Sequence, residues 1–169
     1  SREAIAQAKG ELIRCLPENS VAILNEDDPY VKAMDSLAKG KTITYGIERN
    51  ATCIGSHLRY KKDGIKFTCK CYDEVFDIFL PMIGEHNVYD ALAAIVAGRV
   101  LGIKSNTIRK GLSEFTGTPM RQEIVPFEDI VILNDAYNAN PSSMAEAIKA
   151  LGQLEGKRKI AMLGDMLEL

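Results

Sequence analysis

Between residues 21 and 45 a short apolar run (21–24) is followed by the polar stretch Asn25-Glu26-Asp27-Asp28-Pro29. A helix-like segment (30–39) then stops at Gly40, and a second β-rich run follows (41–45). This strand–helix–strand order constrains the fold more than any other feature. Parallel strands need a crossover connection of about a dozen residues, and a helix supplies it. The pattern predicts a βαβ unit of a parallel sheet.

The flanking segments extend that frame. Ile5, Ala8, Leu12 and Ile13 recur at helical spacing until Pro17, predicting an amphipathic N-terminal helix. Residues 51–80 alternate apolar and polar around Asp63-Gly64, with a further hairpin-like run at 75–80, predicting an antiparallel excursion on the sheet's edge. Gly84 and His86-Asn87 open an apolar helix (88–101) closed by Gly102, and Ser105 is a candidate N-cap for another. Gly117-Thr118-Pro119 interrupts the pattern, which places a domain boundary between 117 and 121 and gives units of 1–119 and 120–169. In the second unit the βαβ rhythm is expected to restart: strands at 122–126, 130–133 and 160–163, and a helix at 142–151. That unit is short beside a typical domain of ~100–150 residues, so the chain is expected to end inside a domain.

Composition narrows the function. A net charge of −2 gives no general attraction for nucleic acid, and no apolar run is long enough to span a bilayer. Cys15, Cys53, Cys69 and Cys71 form no CxxC pair, and residues 69 and 71 share one face of a strand; reduced thiols and a cytoplasmic setting are expected. His57, in the hairpin region without a partner motif, is expected to face solvent.

The stretch Asn134-Asp135-Ala136-Tyr137-Asn138-Ala139-Asn140-Pro141 lies between an apolar strand-like run and a helix-like run. Ligands of open α/β sheets bind at such strand ends, where helix N-termini also present their amides. The alternative is an Asn-rich turn whose side chains satisfy their own backbone.

Four separated segments combine into one pattern: IAQAKGE (5–11), GEHN (84–87) with ALAA (91–94), YNANP (137–141) and LGDMLEL (163–169). Together they resemble the Mur ligase family of peptidoglycan synthesis. YNANP and LGDMLEL are most similar to the branch adding D-alanyl-D-alanine to UDP-N-acetylmuramoyl-tripeptide. The resemblance implies part of a mostly parallel central ATPase sheet with a hairpin excursion, then the start of a Rossmann-like C-terminal domain. It also implies ATP and Mg²⁺ as cofactors, an acyl-phosphate route to an amide bond, those two substrates as partners, and a monomer. No GxxxxGK[ST] motif occurs, so the chain alone is not expected to turn over ATP. Another Mur-type or folylpolyglutamate-type ligase, or a non-catalytic nucleotide-binding module, remains an alternative.

The same resemblance implies site residues. Lys9 matches a lysine carbamoylated in several relatives, where it helps hold a second Mg²⁺. Capture of CO₂ needs an uncharged amine, so the modification requires a folded site; otherwise Lys9 is a solvated helix lysine. His86 and Asn87 match a loop beside the second metal and the adenine, which implies His86, with Lys9, as a catalytic residue and metal ligand, although Asn87 alone would suit an N-cap. Asp90 stands where many relatives carry asparagine against adenine; a carboxylate accepts from an exocyclic amine but donates nothing. Arg121 matches an arginine that reaches the phosphates, and Asp135 one that binds ribose. Tyr137 and Asn138 are implied around the nucleotide, and Asn140, Asp165 and Glu168 toward the incoming dipeptide, with turn or cap roles as the alternative for Asp165.

Overall fold

The computed structural model describes residues 1–61 and 63–166. The first helix, α1 (Arg2–Cys15), starts at Ser1, whose side chain accepts the Ala4 N–H, and buries Gly10 and Ile13. Strand β1 (Val21–Asn25) leads to α2 (Pro29–Ala33), capped by the Asp28 carboxylate, which accepts the N–H groups of Tyr30 and Val31. One 3-10 turn, Met34–Leu37, then reaches β2 (Lys41–Gly46). The long helix read from 30–39 is thus a short α-turn followed by a 3-10 turn. β1 and β2 pair in parallel from Val21↔Lys41 to Asn25↔Tyr45, as the strand–helix–strand order requires.

The next strand, β3 (Cys53–Lys61), joins β2 in parallel through Tyr45↔Cys53 and Gly46↔Ile54. Strands β4 (Gly64–Cys71) and β5 (Glu74–Leu80) continue it antiparallel, completing the order β1-β2-β3-β4-β5. The expected hairpin excursion therefore forms one half of a five-stranded mixed sheet. Its register shifts between Ser56 and Arg59, where exposed His57 takes φ 54°.

Helix α3 (His86–Val100) lies on the sheet and supplies the core. Val88, Leu92, Ile95 and Val96 have no exposed surface and pack with Ile43, Cys53, Ile65, Phe67, Cys69, Cys71 and Ile78. Burying a side chain of this kind contributes about 1.5–3 kcal/mol, so this face anchors the helix firmly. Cys53, Cys69 and Cys71 are free thiols in the same core, with 3.5 Å between the sulfurs of Cys53 and Cys69. Helix α4 (Ser105–Ser113) packs against α3 and β5; its N-cap is Lys104, while Ser105 bonds Glu74 and Arg99 instead.

Beyond residue 117 the structure departs from the expected parallel rhythm. Strands β6 (Glu123–Phe127) and β7 (Ile130–Asn134) form an antiparallel two-stranded ribbon, turned at Glu128, which takes φ 51°. Helix α5 (Pro141–Gln153) follows the Asn-rich loop. Residues 160–163 are not paired in either sheet of the described residues. A strand exists only by pairing, and an apolar run cannot state where its partner lies.

Candidate functional site

The first turn of α3 is built by Gly84, which takes φ 89°. A Cβ there would come within 2.5 Å of His86 Cε1, so the chain approaches this closely only as glycine. Glu85 is the N-cap and offers no side-chain bond to the helix. Asn87 is therefore not the cap. Its Nδ2 donates to the Ile83 carbonyl at 2.6 Å and lies 3.0 Å from His86 Nε2.

A second anchor holds this turn. Asp27, at the end of β1, accepts backbone N–H groups from Ile47, Glu48 and Arg49 at 2.6, 3.0 and 2.8 Å, and the Tyr89 hydroxyl at 3.0 Å. Burial works to raise its carboxyl, but these donors outweigh that and hold it below the ordinary carboxylate value. On Tyr89, burial and then the Asp27 carboxylate push the phenol up. Tyr89 sits between Asn87 and Asp90, so Asp27 fixes the helix turn that carries both. Nothing in the sequence marked Asp27, because its partners lie about twenty and sixty residues away.

The opposite wall comes from residues 118–138. The Arg121 N–H donates to the Thr118 carbonyl, and the Tyr137 N–H to the Met120 carbonyl, both at 3.1 Å. The Gln122 N–H donates to Asp135 Oδ1 at 3.1 Å. Met120 and Gln122 both take positive φ, 62° and 49°, conformations costing about 1 kcal/mol or more each outside glycine. The Arg121 guanidinium lies over the Tyr137 ring, 4.2 Å from its centroid. Asn138 Oδ1 accepts the Ala139 N–H. Asn140 caps α5: its Oδ1 accepts the Ser143 N–H at 2.9 Å, while Ser143 Oγ accepts the Asn140 N–H at 3.0 Å.

Between these walls lies a cavity of about 630 Å³. His86, Asn87 and Asp90 line it from α3, and Arg121, Asp135, Tyr137, Asn138 and Asn140 from the other side. Leu80, Met82, Ala91, Ala94, Leu112 and Phe115 give it an apolar flank. An apolar slot edged by amide and carboxylate groups, with a guanidinium opposite, fits a planar heterocycle bearing hydroxyls and anionic groups. Gln122, which sequence reasoning missed, also lines it and is only 8% exposed. Two predicted residues stand apart: Lys9 is exposed on α1 and Asp165 is exposed beyond α5, neither lining the cavity. Glu168 lies outside the described residues. Among the described residues no group of three or more His, Cys, Asp or Glu side chains is arranged to hold a metal ion. No helix among them is long and apolar enough to cross a membrane.

Comparison with known proteins shows which proteins this chain is similar to in sequence and fold. Residues 1–98 match the model of the Mur ligase middle domain, and residues 120–169 that of the Mur ligase glutamate ligase domain. The chain is 41% identical to UDP-N-acetylmuramoyl-tripeptide--D-alanyl-D-alanine ligase of Bacillus subtilis, over all of this chain and 36% of that protein. It superposes on a crystal structure of MurF from Acinetobacter baumannii with a TM-score of 0.86 and 28% identity, covering 92% of this chain and 34% of that one. It shares its fold with MurF ligase from Thermotoga maritima, solved in complex with ADP: TM-score 0.82, 23% identity, 93% of this chain and 36% of that one. The chain thus spans about a third of the length of these relatives.

Proposed function

We propose a function from the premise that this chain belongs to the Mur ligase family: it supplies the nucleotide-facing part of an ATP-dependent ligase. The full-length protein would join D-alanyl-D-alanine to UDP-N-acetylmuramoyl-tripeptide through an acyl phosphate. The observation that carries this reading is the cavity gathering His86, Asn87, Asp90, Arg121, Asp135, Tyr137, Asn138 and Asn140 from segments matching two different ligase domains. We take the boundary between those domains at 119/120.

Each residue has a role suited to its chemistry. Asn87 and Asp90 meet the edge of the adenine, and the apolar flank takes its faces. Asp135 keeps one oxygen on the Gln122 N–H and offers the other to the ribose hydroxyls. Arg121, preoriented by Tyr137, neutralises phosphate charge as the γ-phosphoryl group passes to the tripeptide carboxylate. Asn138 is proposed for the nucleotide, Asn140, doubling as a helix cap, for the incoming dipeptide, and Asp165 and Glu168 for that same substrate. Mg²⁺ supplies charge neutralisation on the nucleotide. Lys9 would help hold the ion once carbamoylated in the full-length protein, with His86 proposed beside it. A cytoplasmic compartment goes with this reading, since ATP and UDP-linked substrates would be drawn from there.

The test is ADP release by the full-length protein with UDP-N-acetylmuramoyl-tripeptide and Mg²⁺. Release that depends on D-alanyl-D-alanine supports the reading. Release with a single amino acid instead moves the protein to a sibling ligase, and no release from folded protein refutes catalysis.

A further inference from the structure

Two buried polar atoms beside the cavity, His86 Nδ1 and Gln122 Oε1, have no hydrogen-bond partner among the described residues. Both border the same small space over Gly84: the position of its missing Cβ lies 2.9 Å from one and 3.1 Å from the other. A buried unpaired donor or acceptor costs about 1–3 kcal/mol, so two of them side by side call for a common explanation.

Proton counting supplies it. Asn87 Nδ2 lies 2.6 Å from the Ile83 carbonyl oxygen, which only accepts, so this end of the amide must be the NH₂ group. Its second hydrogen then points to His86 Nε2 at 3.0 Å, which must accept. A neutral imidazole carries one proton, and with Nε2 accepting it sits on Nδ1. The proton on Nδ1 needs an acceptor in this space, and the Gln122 side-chain oxygen is the unpaired acceptor that borders it.

We infer that Gln122 is a positioning residue: its side-chain oxygen accepts from one water that itself accepts the His86 Nδ1–H, and so locks His86 and Asn87 in register with the segment after residue 117. The resulting chain runs from the Ile83 carbonyl through Asn87 and His86 to Gln122, whose backbone N–H holds Asp135. It links the segment matching the middle domain to the one matching the glutamate ligase domain. Both hydrogens of the Asn87 amide are used, so Asn87 offers the cavity an acceptor only. Resting on the nucleotide reading above, this makes Asn87 favour a base with an exocyclic amine over its 6-oxo counterpart.

The chain has two histidines, which makes the test direct. Two-bond ¹H–¹⁵N correlation spectra at a pH where both imidazoles are neutral assign each tautomer, with exposed His57 as the internal reference. The expected result is the Nδ1–H form for His86 with a ring proton protected from exchange. That protected proton is lost in Gln122→Met and retained in Gln122→Glu, which keeps an acceptor. An Nε2–H tautomer in the unmodified chain overturns the inference whatever the variants do, and so does an unchanged protected Nδ1–H in Gln122→Met. A second arm measures ATP against ITP in the full-length protein: Gln122→Met should narrow the preference for ATP several-fold, read as the ratio of the two kcat/KM values. Failure of that arm with the NMR result intact would count against the nucleotide reading and not against the hydrogen-bonded chain.

Discussion

Replacing Asp27 by asparagine tests how the site's first wall is held. The carboxylate accepts three backbone N–H groups at 2.6–3.0 Å and the Tyr89 hydroxyl at 3.0 Å. Asparagine keeps the shape but turns an NH₂ group toward donors and removes the charge. Each net hydrogen bond is worth about 1 kcal/mol, more to a charged acceptor; with water replacing part of the loss in this half-buried loop, we expect about 3 kcal/mol of destabilisation. For a chain of this size that lowers Tm by roughly 6–12 °C. The effect also depends on pH. The folded-state carboxyl is held below its unfolded value, so its contribution is complete above the ordinary carboxylate range and fades as pH falls through the folded value. The Tm gap between the unmodified and Asp27→Asn chains should thus be full near neutrality and close below about pH 4. Differential scanning calorimetry across that range is the assay. A gap under about 1 °C at neutral pH, which is worth well under 1 kcal/mol, would refute the anchoring role; so would a gap that does not change on acidification.

Three further perturbations probe neighbouring contacts. Gly46→Ala should destabilise the fold by about 1–3 kcal/mol, since the added Cβ would stand 2.8 Å from Asp27 Oδ2 and displace its carboxylate; urea denaturation reads this. Arg121→Ala in the full-length protein should weaken ATP binding at least tenfold, about 1.4 kcal/mol, by calorimetry, with Arg121→Lys recovering only part because the ammonium cannot reproduce the fork stacked on Tyr137. Asn140→Ala should cost about 1 kcal/mol of stability through the lost cap, whereas Asn140→Ser should preserve it; equal dipeptide KM values in the unmodified and Asn140→Ser proteins would assign Asn140 to capping alone.

Which features were legible in the sequence follows from how local their causes are. The β1–α2–β2 unit was readable because apolar period, Pro29 and Gly40 act within a few residues. The β3–β4 hairpin was readable from Asp63-Gly64, as was the shared buried face of Cys69 and Cys71. The β6–β7 ribbon was misread as the restart of a parallel rhythm, since it turns at Glu128-Asp129 without the glycine or asparagine that announces a hairpin. The run at 160–163 was read as a strand on apolarity alone, and it pairs with no described strand. At the site, the motif residues of α3 and the Asn-rich loop converge on one cavity, while Lys9 and Asp165 do not reach it. Asp27 and Gln122 were invisible for a common reason. Each acts through partners distant in sequence, and neither breaks a periodic pattern that would draw attention to it.

The central claim is that the cavity between α3 and the 118–138 segment takes the nucleotide. The most direct measurement is a crystal structure of the full-length protein with ADP and Mg²⁺. The account predicts the base against the apolar flank with its exocyclic amine at Asn87, the ribose hydroxyls on Asp135, and the phosphates toward Arg121. ADP bound elsewhere while this cavity stays free of it would contradict the account.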